Sequence, residues 1–203
     1  MYAQLRIFPI SSFANTGAPN ITTALPLLAR TASEKEINNI SLELTPKVVT
    51  RTWKADNKEE QDTVKTGYDG TVTFYGIDKT AIAAISNNNV DNNGHTVLGS
   101  SPEGNPKCVL FYHGRNAKGK KYNCWLYSVE FGEVPFKAAQ EEDTPDSVSL
   151  SFFAETITYT PAGGSAIAVQ GIIVYEGESG YIAEGVEPTA AGLILPDFST
   201  NNN

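Results

Sequence analysis

Apolar residues recur along this chain mostly at alternate positions, and a period of two belongs to strands. Residues 2–8 alternate through Leu5 and Ile7. Within 37–49, Ile40, Leu42 and Leu44 share one face with Ser41, Glu43 and Thr45 opposite, a half-buried strand broken at Pro46. A further strand is predicted over 69–75, and the densest signals lie at 107–113, 122–131 and 146–159. In the last of these, Val148, Leu150 and Phe152 alternate with Ser147, Ser149 and Ser151. In 122–131, alternation puts Trp125, Tyr127, Val129 and Phe131 on one face. The same segment also fits a helical stripe through Tyr122, Trp125, Leu126 and Val129, but its aromatic content and the stop at Gly132 favour a strand. An apolar strand over 166–175 follows a Pro-Ala-Gly-Gly turn at 161–164. One helix is predicted, over 78–86, where Asp78 can cap and Ile82 and Ile85 sit three apart. A helix this short needs to dock on the sheet.

The segments between strands are long. Residues 52–66 hold Lys54, Asp56, Lys58, Glu59, Glu60, Asp62 and Lys65, and read as a solvated loop or arm between two strands. Residues 87–106 are rich in Asn, Gly and Pro, and 140–146 form an acidic linker. From Glu176 the chain is rich in Gly, Ala and Pro and ends in three asparagines, the composition of a flexible or partner-dependent arm. The layout suggests a β domain over 1–160, with 161–203 as additional strands and a C-terminal arm of the same or an adjoining unit.

Composition narrows the function. The 203 residues are 40% hydrophobic and 19% charged, a globular balance. A chain of this length buries roughly 70% of its unfolded surface without a metal or disulfide. The net charge is −8, and Lys and Arg are spread thinly apart from a group at 115–121. That argues against sequence-specific DNA binding and suits a surface past which DNA slides. No stretch approaches the about 18 apolar residues of a membrane span. Residues 1–10 lack a signal-peptide layout, so a cytoplasmic site of synthesis is expected. Cys108 and Cys124 both lie in apolar runs and read as buried thiols. In a hairpin centred on 116–119, Cys124 falls near Phe111 and away from Cys108.

Signals for catalysis are weak. Residues 114–121 run Gly-Arg-Asn-Ala-Lys-Gly-Lys-Lys after an apolar strand, which superficially matches a phosphate-binding loop. That chemistry needs a Ser or Thr after the lysine to hold magnesium and a helix to receive the phosphates. Lys121 supplies no such hydroxyl, and strand follows it, so a hairpin turn is the simpler reading. His95 and His113 have no Cys, Asp or Glu at metal-ligand spacing. The acidic group Glu141, Glu142, Asp143 and Asp146 reads as a solvated loop face. No enzyme activity, catalytic residue, metal or cofactor is expected.

From Lys54 onward the order of features resembles the major tail proteins of long-tailed, siphophage-type bacteriophages. Lys54-Ala55-Asp56-Asn57 opens a charged stretch, and Gly70-Thr-Val-Thr-Phe-Tyr75 leads to the short helix. Leu98-Gly99 follows the Asn-rich loop. Next come the strand ending at Tyr112, a Lys/Gly hairpin, the strand Trp125 to Phe131 with Pro135 beyond, and the strand from Asp146. The resemblance covers roughly residues 1–160, and at Ser128 the chain departs from a lysine common in that family.

The resemblance implies a mainly β fold, a β-sandwich or half-barrel with one short flanking helix and long loops. It implies homohexameric rings that stack into a tail tube for DNA passage, present in the virion tail and assembled in the host cytoplasm. Partners would be further copies of the chain, the tape measure, tail tip and tail terminator, and DNA that passes without specific binding; no membrane is involved. Lys54, Asp56, Asn57, Lys58, Glu59, Glu60, Asp62 and Lys65 would then contact neighbouring subunits. Competing readings are the tube protein of a contractile injection system, a carbohydrate-binding or adhesion β domain of a phage tail, and a nucleotide-binding enzyme acting through 114–121.

Overall fold

The period-two segments do become strands, and every pairing between them is antiparallel. A computed structural model describes residues 4–25, 41–55, 58–75, 84–85, 93, 105–132 and 147–198. Among them run β1 (Gln4–Phe13), β2 (Pro19–Ile21), β3 (Ser41–Ala55), β4 (Lys58–Tyr75), β5 (Lys107–Arg115), β6 (Lys121–Phe131), β7 (Ser147–Glu155), β8 (Ile157–Tyr159), β9 (Ile167–Val169) and β10 (Gly171–Tyr175). Eight strands form one sheet in the order β2-β1-β5-β6-β7-β4-β3, with β10 against β6, and β8 pairs with β9. The fold is mainly β, as the alternation predicts. Of the helix predicted over 78–86, Ala84 and Ile85 are helical, and the rest lies outside the described residues. Ile85 is fully buried in the core, so this turn docks on the sheet.

β6 organises the sheet because it has three partners. β5 runs along one edge. On the other edge β10 pairs with residues 122–126 and β7 with 129–131, so the sheet forks there. The fork is tied by side chains and backbone. The Tyr127 amide donates to the Gln170 carbonyl (2.9 Å), Gln170 Nε2 donates to Thr156 Oγ1 (2.6 Å), and Thr156 Oγ1 donates to the Thr66 carbonyl (3.0 Å).

Each face of this sheet carries a core. One contains Leu5, Ile7, Leu110, Cys124, Leu126, Val129, Phe131 and Leu150; the other contains Phe8, Val109, Phe111, Trp125, Tyr127 and Ile157. The central strands β5 and β6 are buried on both sides, which is why their sequences read as nearly continuous apolar runs.

Five expectations need correction. Trp125 and Tyr127 do not share a face with Val129 and Phe131. Cys108 pairs with Val129 but Leu110 pairs with Leu126, so Tyr127 and Ser128 together oppose Val109, a β-bulge that reverses the alternation. Pro46 does not break β3, because β3 is an edge strand and an edge tolerates a missing donor. Residues 52–66 are not a loop; apart from 56–57, which lie outside the described residues, they continue β3 and β4. Cys124 stands opposite Tyr112, one residue from the expected Phe111. The strand expected over 166–175 divides at Gln170 into β9 and β10. Beyond β10, residues 176–198 form an irregular strap laid along the sheet, with Ile182, Leu193 and Leu195 on the Trp125 face.

Candidate assembly surface

β3 and β4 are long enough to outrun the sheet that supports them. They pair from Ser41↔Thr73 to Ala55↔Lys58, while β4 reaches β7 only from Gly67↔Glu155 to Tyr75↔Ser147. Among the described residues, 48–55 and 58–65 therefore pair with each other alone. The ribbon starts at a second bulge. Lys47 pairs with Gly67 but Val48 pairs with Lys65, which leaves Thr66 as the extra residue. Thr66 Oγ1 donates to the Lys47 carbonyl (3.3 Å), and the Thr66 carbonyl receives the Thr156 hydroxyl at the fork (3.0 Å).

An isolated two-stranded ribbon is marginal in water, because it lacks a third layer to cover its side chains. This one exposes Val48 (55%), Val49 (42%) and Val64 (40%), with Val49 directly opposite Val64. The Thr50 and Thr63 hydroxyls, 3.4 Å apart, add one polar tie across the ladder. The base is better anchored. Lys47 Nζ lies 3.3 Å from Asp69 Oδ1 and 4.6 Å over the Phe153 ring, while Lys65 caps the Tyr68 ring at 3.7 Å and donates to its hydroxyl. Beside the base opens a cleft of about 760 Å³, lined by Lys47, Asp69, Gly70, Glu130, Phe152 and Phe153 among others.

The charged residues singled out from sequence fall in register along the ribbon. Lys54 stands opposite Glu59, Lys58 opposite Ala55, Glu60 opposite Trp53, Asp62 opposite Arg51 and Lys65 opposite Val48. Asp56 and Asn57 form the connection and lie outside the described residues. Residues of opposite charge thus stand at facing register positions at Lys54/Glu59 and Arg51/Asp62, an order of residues that favours this register. Sequence reasoning weighed the charge and missed the strand. The signal present was the run of β-formers Val48, Val49, Thr50, Thr52, Trp53, Thr63 and Val64 among the charges.

Among the described residues, the sheet also has open edges. β2 and β3 end the strand order, and β10 has β6 as its partner and exposes Ile173 (51%). Such edges present unpaired amides and carbonyls to another chain.

The enzyme-like signals within the described residues take the following places. Residues 114–121 connect β5 to β6 by a tight turn. Gly119 takes φ 79°, and Asn116 Oδ1 accepts from the Lys118 and Lys120 amides (3.0 Å each). Lys121 opens a strand where a phosphate loop would open a helix. Burial pushes the Cys108 and Cys124 thiols up to about 12, so neither is a nucleophile near neutral pH. His113 is buried, its Nδ1 2.9 Å from Asn123 Oδ1, in the seam between the sheet and the strap. His95 and the acidic group at 141–146 lie outside the described residues.

No family model and no curated protein matches this chain. Among solved structures it is similar to one described as the crystal structure of Hcp protein. The TM-score is 0.37 and the identity 10%, over 84% of this chain and 99% of that one. A likeness at that level bears on neither ancestry nor activity.

Proposed function

We propose that this protein is a structural subunit that assembles with copies of itself into a tube, and that the tube is the tail tube of a long-tailed phage. The observation that carries the reading is the unsupported ribbon of residues 48–55 and 58–65, which exposes three valines and leaves the sheet that would cover them. A second copy supplies the missing layer. The open edges of β2, β3 and β10 give further places for copies to join, and a heterologous contact that closes makes a ring. The resemblance of the order of motifs to that of the major tail proteins supports reading that ring as a hexamer and the stack as a DNA conduit. In this reading Lys54, Asp56, Asn57, Lys58, Glu59, Glu60, Asp62 and Lys65 meet a neighbouring subunit. The protein has no catalytic role, assembles in the host cytoplasm and resides in the virion tail with the tape measure, tip and terminator. The net charge of −8 keeps passing DNA from adhering.

Electron microscopy over a concentration series tests this with the wild type and a Val49→Asp/Val64→Asp double variant. Rings or tubes with a central channel are expected from the wild type, and monomers from the variant. A wild type that stays monomeric even when supplied with a tail-tip complex removes the tube reading.

A further inference from the structure

One sheet face beside the ribbon base is bare. Across β6, β7, β4 and β3 the register sets Glu130, Phe153, Asp69 and Thr45 side by side in a row, with Glu43 two residues from Thr45 on the same side. These residues alternate with Phe131, Phe152, Tyr68, Leu42 and Leu44 of the core, so they lie on the opposite face. Glu43, Thr45, Lys47 and Asp69 are exposed, and among the described residues no element lies over them. They bound the cleft of about 760 Å³. Its lining sets the carboxylates of Glu43, Asp69 and Glu130 against the ammonium of Lys47, so the cleft is acidic. Lys47 is engaged by Asp69 (3.3 Å) and by the Phe153 ring, and Glu130 Oε1 accepts from the Asn105 amide (3.4 Å).

The other end of the β5–β6 pair is basic. The turn that joins these strands carries Lys118 and Lys120 at its exposed tip. At its root, Arg115 and Lys121 are answered by Glu184 of the strap (3.2 and 3.0 Å), which leaves the tip charges projecting. Lys120 Nζ lies 4.7 Å over the Tyr175 ring. Asn116 Oδ1 holds the tip stiff through the Lys118 and Lys120 amides, so little order is lost when the tip docks. Tip and cleft do not meet within one molecule. β6 runs from Lys121 beside the tip to Phe131 beside the cleft, which at about 3.3 Å per residue sets them roughly 30 Å apart.

We infer that the cleft at Glu43, Asp69 and Glu130 receives the hairpin tip of a second copy, through its Lys118 and Lys120, so that copies join head to tail along the β5–β6 direction. This rests on the self-assembly proposed above and names two surfaces for it. Opposite charge selects tip with cleft over tip with tip or cleft with cleft, which would set like charges together. The two surfaces differ, so the contact is heterologous, and every chain of copies keeps a free tip at one end and a free cleft at the other. Because Lys47 belongs to both the cleft lining and the ribbon base, a docked tip lies next to the ribbon.

Two readouts on the full chain test this. The first is sedimentation velocity over a concentration series. Lys118→Glu/Lys120→Glu and Glu43→Lys/Glu130→Lys are each expected to raise the concentration needed for assembly by about tenfold or more, and the chain carrying all four changes is expected to restore it. In the second, Lys118→Cys protein is mixed with Thr45→Cys protein under mild oxidation. The mixed disulfide is expected to form about tenfold faster than with Ser11→Cys, an exposed position on β1, since a docked contact raises the local concentration of the two thiols. Cys108 and Cys124 are buried and stay silent. The docking is overturned by a wild type that assembles while both reversals leave assembly unchanged, by a quadruple variant that folds without restoring it, or by a mixed disulfide no faster than the control. Each of those results leaves the self-assembly reading standing. A wild type that stays monomeric and shows no preferred cross-link removes both. The cross-linking arm needs no charge reversal and decides the matter where those variants do not fold.

Discussion

Leu126 and Val129 lie three residues apart on one strand, yet both are buried in the same core on the same face of the sheet. In a regular strand they would face opposite sides. The bulge opposite Val109 makes up the difference, and it lets one strand present Trp125 and Tyr127 to one core and Val129 and Phe131 to the other. Deleting Ser128 removes the extra residue, leaves Tyr127 alone opposite Val109, and keeps Val129 and Phe131 on the Leu126 face. The expected result is a chain that still folds cooperatively, read as a retained urea transition. Leu126→Ala, which keeps the bulge, should fold and cost about 2–5 kcal/mol by the same measurement.

The ribbon and the central strands differ in support, and hydrogen exchange should separate them. Amides of 48–55 and 58–65 are expected to exchange through local opening, near the fast end for ordered backbone. Amides of β5 and β6, buried on both faces, should exchange only on global unfolding. Assembly should protect the ribbon. Equal protection of ribbon and core in the monomer would count against an unsupported arm.

Gly17 sits at φ 83°, and a side chain added there would place Cβ 1.8 Å from the Thr158 carbonyl oxygen. This turn packs against β8, where the Thr160 amide donates to the Thr16 carbonyl (2.8 Å). Gly17→Ala therefore combines a disfavoured backbone angle with a clash, and should destabilise by more than about 1 kcal/mol. A thermal melt checks this, with Gly119→Ala as the comparison, since that position has a positive φ and open space. The Gly17 variant should lose more.

Both thiols should be silent toward a disulfide reagent in native buffer at pH 8 and react fully in denaturant. Burial lifts each from 9.0 to about 12 in the folded protein. A raised thiol pKa means the unfolded chain loses its proton first. The contribution to stability is present below pH 9, declines as pH rises above it, and is fully lost once pH passes about 12. Denaturant midpoints measured from pH 8 to 11 should fall, and a Cys108→Ser/Cys124→Ser protein should fall less steeply.

Glu184 serves two cations, Arg115 and Lys121, at the edge of the strap. Glu184→Gln should loosen the strap and cost about 1 kcal/mol or less, since the pair is partly exposed. Raising salt should shrink the difference between wild type and variant, as screening acts on the pair that only the wild type has.

Strand identity and the antiparallel class were legible in the chain, because a period of two survives wherever one face is buried and the other wet. Leu5, Ile7, Leu150 and Phe152 show it plainly. The turn at 116–119 was legible for the same local reason, since Asn and Gly at those places satisfy a tight connection without help from elsewhere. The two-sided burial of β6 was not legible, nor was the bulge, because a strand that is apolar on both faces has no phase to read. The ribbon was misread because its charges outweighed its β-formers, and a strand held only by its partner leaves no hydrophobic face in the sequence. The strap was hidden too: its Gly, Ala and Pro composition specifies no regular structure. Its path is set by contacts made after the sheet exists, through Arg6, Asn123, Tyr127 and Trp125. Local periodicity decided which segments extend; only tertiary packing decided which edges stay open, where alternation reverses and what lies across His113.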